Sequence, residues 1–218
     1  MKYLILLLMF ILPLSSHARG KTWVTTEYQF DSRDFNTLNF TGFSALPKGF
    51  SVWGFVDFEA AKGASERESD LATNFLEIDL RTPRYKGLGV ILEVNSQSGS
   101  KNDLGRAGLY YLPKYDWLDR INLFLFFKAF PIETDGEGGQ FSFAWDLKFP
   151  GLLQGRLSAG GFVDWNFKSG SSKTTHVVTD TQIRCRIAGN LAFLVEFRKN
   201  EFLASKESGT AVGLKYKF

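Results

Sequence analysis

The amino-acid sequence predicts an all-β protein, a closed antiparallel transmembrane β-barrel of about twelve strands. Three observations predict this fold class. The chain begins with an export signal, apolar and polar residues alternate with a period of two along most of the remainder, and short turns alternate with longer polar loops. Barrels of the outer membrane are the class of protein in which these three features occur together.

Residues 1–18 predict a secretory signal peptide, which leaves residues 19–218 as the mature barrel. Lys2 supplies the positive charge, residues 3–14 form a short apolar run, and small residues end with Ala18 at the cleavage point. The alternative is an N-terminal anchor helix, but the run is short for a helix that spans a bilayer. We therefore expect export, and localisation in the outer membrane of a Gram-negative bacterium.

Composition narrows the class further. The 218 residues carry a formal net charge of +3 without a cluster of Lys and Arg, so a nucleic-acid partner is not expected. Aromatic residues make up 16% of the chain although the mean hydropathy is only −0.11. The mature chain keeps a single cysteine, Cys185, which excludes an intrachain disulfide. No later run approaches the ~20 apolar residues of a membrane helix, so a position in the membrane requires a barrel.

Period-two alternation predicts twelve strands of membrane-spanning length. In the eighth, Phe141 and Phe143 alternate with Ser142 and Asp146, and the other strands follow the same pattern. Charged residues collect almost entirely on one face, which favours lipid on one side and a wet lumen on the other over a periplasmic β-sandwich. The predicted strands lie at 21–30, 34–46, 49–60, 71–82, 86–96, 104–113, 119–130, 139–149, 155–168, 175–187, 190–199 and 208–218.

The connections and the end of the chain give independent support. Tight turns follow the even-numbered strands and longer polar loops follow the odd-numbered ones, with 31–33 as a short exception. This asymmetry predicts long loops outside the cell and both termini in the periplasm. The last residues alternate up to Phe218, which resembles the signal that bacterial outer-membrane barrels present to the barrel-assembly machinery. That machinery and the lipid bilayer are therefore expected partners.

The face predicted to point inward carries charges of both signs and many aromatic rings. Because the two signs roughly cancel, most of these charges are expected to pair across strands. The rings suit a solute with one flat face and one polar edge, such as a nucleoside or a sugar, although they could also pack together and plug the barrel. The predicted inward rings are Trp23, Trp53, Phe55, Phe75, Tyr110, Phe124, Phe126 and Phe162.

A short internal similarity links the third and ninth strands. Residues 54–58 read Gly-Phe-Val-Asp-Phe and residues 161–165 read Gly-Phe-Val-Asp-Trp. In a barrel of twelve strands these two strands face each other across the lumen, and the Phe and Asp of each point inward. Phe55, Asp57, Phe162 and Asp164 are therefore expected to frame the pore.

The residues give little support for an enzyme. His176 is the single histidine left after export, and its flanking residues contain no His-x-Ser pair like those expected of a serine nucleophile and its base. No cluster of metal ligands and no phosphate-binding glycine loop is visible. We expect no catalysis, no cofactor and no metal.

With these residues laid out, the chain resembles the Tsx-like nucleoside-specific channels of the outer membrane. The resemblance rests on the twelve-strand plan, on residues 55–57, 161–165 and 195–200, and on the Lys-Tyr-Lys-Phe ending. It implies a narrow monomeric channel in which nucleosides stack on luminal aromatic rings while ionisable side chains contact ribose and base. The implied lining residues are Phe55, Asp57, Phe162 and Asp164, followed by Trp53 and Glu196.

Two other interpretations remain open at this point. The first is a porin for acidic oligosaccharides, which requires a basic track through the lumen. Arg184 and Arg186, together with Arg198, Lys215 and Lys217, could form such a track on the last three strands. The second is a plugged structural or adhesion barrel.

Overall fold

The computed structural model describes residues 21–61, 72–97, 103–136, 138–168, 174–203 and 206–218. The predicted signal peptide lies outside the described residues and stays a prediction. Within the described part of the chain, no helix has the length and apolar character needed to cross a membrane.

Twelve strands form one closed antiparallel barrel, as predicted from the period-two pattern. Each strand pairs with its neighbours in the chain, and β1 closes the ring by pairing with β12, from Thr25 opposite Lys217 to Asp31 opposite Ala211. Closure satisfies the backbone groups that an open sheet would leave unpaired at its edges. The strands are β1 (Thr22–Asp31), β2 (Phe35–Ala45), β3 (Ser51–Ala61), β4 (Ala72–Arg81), β5 (Leu88–Gln97), β6 (Leu104–Tyr111), β7 (Leu123–Glu133), β8 (Gly138–Phe149), β9 (Leu157–Lys168), β10 (Thr175–Ala188), β11 (Leu191–Asn200) and β12 (Ser208–Lys217).

Alternation along the strands separates an apolar outer surface from a polar interior. On β5 the outward residues Leu88, Val90, Leu92 and Val94 are each about half exposed, whereas Glu93 between them is buried inside. A band of aliphatic side chains this exposed is unfavourable in water and suits the hydrocarbon of a bilayer.

Four turns at one end of the barrel extend further than predicted. β3 begins at Ser51, after a 3₁₀ turn at Pro47–Gly49, and β5 begins at Leu88. The connection after β6 contains a short helix, α1 (Asp116–Arg120), so β7 begins at Leu123 and not at residue 119. The connection after β8 forms a 3₁₀ turn at Leu153–Gly155, so β9 begins at Leu157. Both segments stay short, and the end of the barrel that holds Lys21 and Phe218 remains the end with compact turns.

Three irregularities interrupt the pairing registers. They lie between Asp57 and Phe58 on β3, between Ala107 and Leu109 on β6, and between Arg186 and Ala188 on β10. Each bulge changes which residues of the neighbouring strand face one another. The bulge between β6 and β7 lets both Lys128 and Glu133 reach the interior, although they differ in strand parity.

Candidate functional site

The interior of the barrel contains a cavity of about 1460 Å³ that is lined by residues of all twelve strands. Lys21 and Arg84 contact it at the end with compact turns, and Phe202 and Lys206 contact it at the other end. A cavity that touches residues of both ends is the geometry required of a path for solutes. The eight rings predicted to point inward all line it.

Lys128 lies at the centre of an ion-pair network on one wall. Its ammonium nitrogen is 2.8 Å from a carboxylate oxygen of Glu77, 2.5 Å from one of Glu93 and 3.7 Å from one of Asp79. Arg106 holds the other oxygen of Glu93 at 2.7 Å. These groups are almost completely buried, so the charges are stabilised mainly by each other. The Lys128 network consists of Glu77, Asp79, Arg81, Glu93, Arg106, Lys128 and Glu133.

The carboxylates of Glu77, Asp79 and Glu93 are close enough together to hold a metal ion. The ammonium group of Lys128 already lies among them and supplies the positive charge that the three carboxylates require. The same cluster therefore links β7 to β4 and β5 through ion pairs across the strands.

A second network occupies the opposite wall, on β10, β11, β12 and β1. Glu196 accepts hydrogen bonds from Gln29 at 2.7 Å and from Gln182 at 2.9 Å, and Gln182 also donates to Glu27 at 3.0 Å. Arg198 lies 3.2 Å from carboxylate oxygens of both Glu196 and Asp180. Lys215 pairs with Glu27. The Glu196 network consists of Glu27, Gln29, Asp180, Gln182, Glu196, Arg198 and Lys215.

A row of aromatic rings lines the cavity on β3 and β4. The ring centroids of Trp53 and Phe55 are 5.5 Å apart, and those of Phe55 and Phe75 are also 5.5 Å apart. The guanidinium of Arg81 lies 5.5 Å from the Trp53 centroid, within range of a cation–π interaction. The row therefore offers a continuous apolar surface of mutually tilted rings, with charged groups beside one of its ends.

Two carboxylates flank the lumen on opposite walls. Asp57 on β3 accepts a hydrogen bond from the amide of Asn39 at 2.7 Å, and Asp164 on β9 accepts one from the hydroxyl of Ser142. β3 and β9 lie six strands apart in a ring of twelve, so the sequence similarity between them corresponds to opposed positions. Phe55 and Phe162 line the cavity from the same two strands.

Not every predicted pore residue lines the cavity. Glu196 has 0% exposure because Gln29, Gln182 and Arg198 cover it, so it supports the wall without forming its surface. Arg186 is exposed at the end with compact turns and does not contact the cavity. Arg184 does line the cavity, and its guanidinium pairs with Asp146. Trp53, Phe55, Asp57, Phe162 and Asp164 also line it.

The candidate site residues predicted from the sequence did not include the neutral polar side chains that hydrogen-bond the luminal carboxylates. Gln29, Gln182 and Asn39 hold the luminal carboxylates, and Thr41 donates its hydroxyl to the Asn39 side chain at 2.8 Å. Their positions on the inward face of β1, β2 and β10 follow the same alternation, which is the signal that could have identified them.

The basic residues proposed as a track for acidic sugars are largely neutralised. Arg184 pairs with Asp146, Arg198 with Asp180 and Glu196, and Lys215 with Glu27. Across the two networks and their neighbours, carboxylates outnumber cations, whereas at the two ends of the cavity Lys21, Arg33, Arg84, Lys168 and Lys206 outnumber Glu59 and Asp135. In the networks and their neighbours, the cations are Arg81, Arg106, Lys128, Arg184, Arg198 and Lys215, and the carboxylates are Glu27, Asp57, Glu77, Asp79, Glu93, Glu133, Asp146, Asp164, Asp180 and Glu196.

Comparison with solved structures identifies the class of fold. The KdgM porin, solved in complex with disordered oligogalacturonate, aligns with a TM-score of 0.52 and 15% identity over 90% of this chain and 99% of that chain. The translocator domain of the autotransporter NalP from Neisseria meningitidis aligns with a TM-score of 0.47 and 10% identity over 99% of this chain and 96% of that chain. No family model and no curated protein matches the sequence. The likeness to the KdgM porin shows that the protein has a porin-like barrel fold.

Proposed function

We propose that this protein is an outer-membrane channel that passes small uncharged solutes with a flat ring, with nucleosides as the substrate class. The observation that carries the proposal is the row formed by Trp53, Phe55 and Phe75 in the luminal wall. Stacking on an aromatic ring stabilises a base whatever its identity, because every base has an aromatic face. The resemblance to Tsx-like channels supports the same choice.

Hydrogen-bonding groups beside the rings suit the polar edge of such a solute. Asp57 lies two residues from Phe55 on the same face of β3, and Asp164 lies two residues from Phe162 on β9. A carboxylate accepts hydrogen bonds from ribose hydroxyls and from the amino groups of bases. A solute between these walls would therefore stack on a ring and donate to a carboxylate at the same time.

An acidic oligosaccharide is the main alternative, and it is suggested by the ligand in the KdgM porin structure. That likeness concerns the fold, while the luminal chemistry of this chain points the other way. Three of the basic residues of β10 to β12 are held by carboxylates, and a lumen whose middle section has more carboxylates than cations repels polyanions. Acidic sugars are therefore kept as the comparison solute in the experiment below.

The exposed outer surface supports the proposed location. Outward aliphatic residues on β5 and β12 are about half exposed, which suits lipid rather than water. In this orientation the compact turns and Phe218 face the periplasm, where the barrel-assembly machinery would recognise the end of β12. Each barrel encloses its own cavity, so we propose that it acts as a monomer, as a channel and not as an enzyme.

Single-channel recording in a planar bilayer tests the proposed solute. Adenosine or uridine added to the wild-type channel should reduce its conductance, because a stacked nucleoside blocks ion flow. Phe55→Ala should raise the half-blocking concentration about tenfold, since loss of one base–aromatic stack costs about 1.4 kcal/mol or more. Phe193→Ala removes the same ring from the lipid-facing side of β11 and serves as the matched control.

The outcomes separate the three interpretations. Equal block of wild type and Phe55→Ala would show that stacking on this row does not hold the solute. Block by oligogalacturonate but not by nucleosides would move the assignment to a porin for acidic sugars. Complete absence of conductance from folded protein would indicate a plugged structural barrel.

A further inference from the structure

A second pocket lies at the compact-turn end of the barrel. Its volume is about 520 Å³, and it is formed by the connection between β4 and β5 together with the connection between β6 and β7. Tyr111 belongs to the outward face of β6, so the pocket opens toward the outer surface near the boundary of the lipid-facing band. Its lining consists of Arg84, Lys86, Gly87, Tyr111, Lys114 and Tyr115.

The pocket has a positive charge that the described structure leaves unbalanced. Arg84, Lys86 and Lys114 carry one charge each, and no carboxylate among the described residues forms an ion pair with any of them. This contrasts with the lumen, where Lys128 and Arg106 are each held by two or more carboxylates. Three unpaired cations around one concave site favour an anion with several oxygen atoms.

The backbone shapes the floor of the pocket. Gly87 has a φ of +90°, and a Cβ at this position would lie 2.6 Å from the carbonyl oxygen of Leu112 and 2.9 Å from the Tyr111 ring. The missing side chain lets the turn approach β6, where the Leu112 amide donates to the Gly87 carbonyl at 2.9 Å. The hydroxyl oxygens of Tyr111 and Tyr115 are 3.0 Å apart, so the two phenols are fixed relative to each other.

The surroundings are those of a membrane interface. Tyr85, Tyr115 and Trp117 are all more than half exposed beside the pocket, and such rings concentrate at the boundary between lipid and water. Directly above the turn, the outward side chains of β5 form a continuous aliphatic ridge from Leu88 to Val94. An anion in the pocket would thus lie at the foot of a surface suited to acyl chains.

We propose that this pocket binds the phosphate headgroup of an anionic phospholipid in the membrane leaflet at the compact-turn end. Arg84, Lys86 and Lys114 surround the phosphate, the tyrosine hydroxyl that is not used in the pair donates a hydrogen bond to it, and the acyl chains lie along the ridge of β5. The site lies outside the lumen, with which it shares Arg84, and it goes beyond the proposed channel activity, although it relies on the membrane placement proposed above.

Native mass spectrometry of the mature protein released from detergent tests the proposal. Phosphatidylglycerol should remain bound to the wild type, and phosphatidylcholine should not. Replacing all three cations by Gln (Arg84→Gln, Lys86→Gln and Lys114→Gln) should weaken the phosphatidylglycerol complex about a hundredfold, at roughly fivefold per charge. The matched control changes Lys48, Lys148 and Arg156 to Gln, which are exposed cations at the same end outside the pocket.

Two outcomes would overturn the proposal. Equal retention of phosphatidylglycerol by the two triple variants would show non-specific attraction to a basic rim. Displacement of the lipid by millimolar inorganic phosphate would identify a site for free phosphate.

If the triple variant does not fold, Lys114→Glu alone provides the same comparison. The double variant Lys86→Gln with Lys114→Gln, which keeps the cavity-lining Arg84, should conduct like the wild type, so a failure here is distinguishable from a failure of the channel proposal.

Discussion

Lys128 contacts carboxylates from two strands that are not its neighbours in the barrel. Glu77 and Glu93 belong to β4 and β5, whereas Lys128 belongs to β7, so its long side chain reaches past β6 along the inner wall. Removing this one positive charge would leave buried carboxylates facing each other without compensation.

Lys128→Met is therefore expected to destabilise the barrel. The free energy of unfolding should fall by about 3 kcal/mol, because breaking a buried ion pair costs more than the pair itself contributes. Urea titration of protein refolded into lipid vesicles measures the change. Lys148→Met alters the same residue type at an exposed position of β8 and should have little effect. Equal midpoints for the two variants would contradict a central role for the Lys128 network.

At the residue scale, alternation predicts which face a side chain occupies but not which partner it finds. Trp53, Phe55 and Asp164 were placed on the inner face by counting along their strands, and all three contact the cavity. The burial of Glu196 was not predictable, because the residues that cover it come from β1 and β10 as well as from β11 itself. Such contacts depend on the stagger of several strands.

The strands themselves were the most predictable elements. Each strand must present apolar groups to lipid and polar groups to the lumen, so apolar and polar residues alternate with a clear period of two wherever a strand spans the membrane. Helix α1 was not predicted, because five residues make little more than one turn and its last two residues fell within the predicted strand at 119–130. Turns at the rim face neither lipid nor lumen, and alternation carries no information about them.

Close packing between β9 and β10 depends on Gly161. A Cβ at this position would overlap the carbonyl oxygen of Asp180, so any larger residue must push the two strands apart. Gly161→Ala should lower the free energy of unfolding by about 2 kcal/mol, the usual cost of overpacking. Gly151→Ala, in a turn with no atom within 4 Å of the added group, is the control for the urea midpoint. An unchanged midpoint for Gly161→Ala would show that the strands tolerate the shift.

At the scale of the whole molecule, the middle section of the interior has more carboxylates than basic side chains, whereas the two ends of the cavity are basic. A pore lined in this way attracts cations and repels anions, even where many of the charges are paired. In a potassium chloride gradient the reversal potential should show a preference for potassium over chloride. Asp57→Asn combined with Asp164→Asn should reduce this preference, because both carboxylates line the cavity.

Asp116→Asn, on the exposed helix α1 outside the lumen, is the matched substitution for that measurement. It removes one negative charge without changing the cavity wall and should leave the reversal potential unchanged. A preference for chloride in the wild type would contradict the charge balance argued for the lumen. It would also support the alternative in which the basic residues of β10 to β12 form a path for acidic solutes.

The distribution of the two networks bears on how the barrel deforms. The ion pairs described above lie along two arcs of wall, one from β4 to β7 and the other from β8 through β12 to β1. The inward side chains of β2 are uncharged. A barrel wall that is cross-linked by ion pairs along two arcs bends most easily where the ion pairs stop. We therefore expect its cross-section to change from a circle to an oval. We expect such a change to widen the passage along one diameter while every strand keeps its backbone pairing.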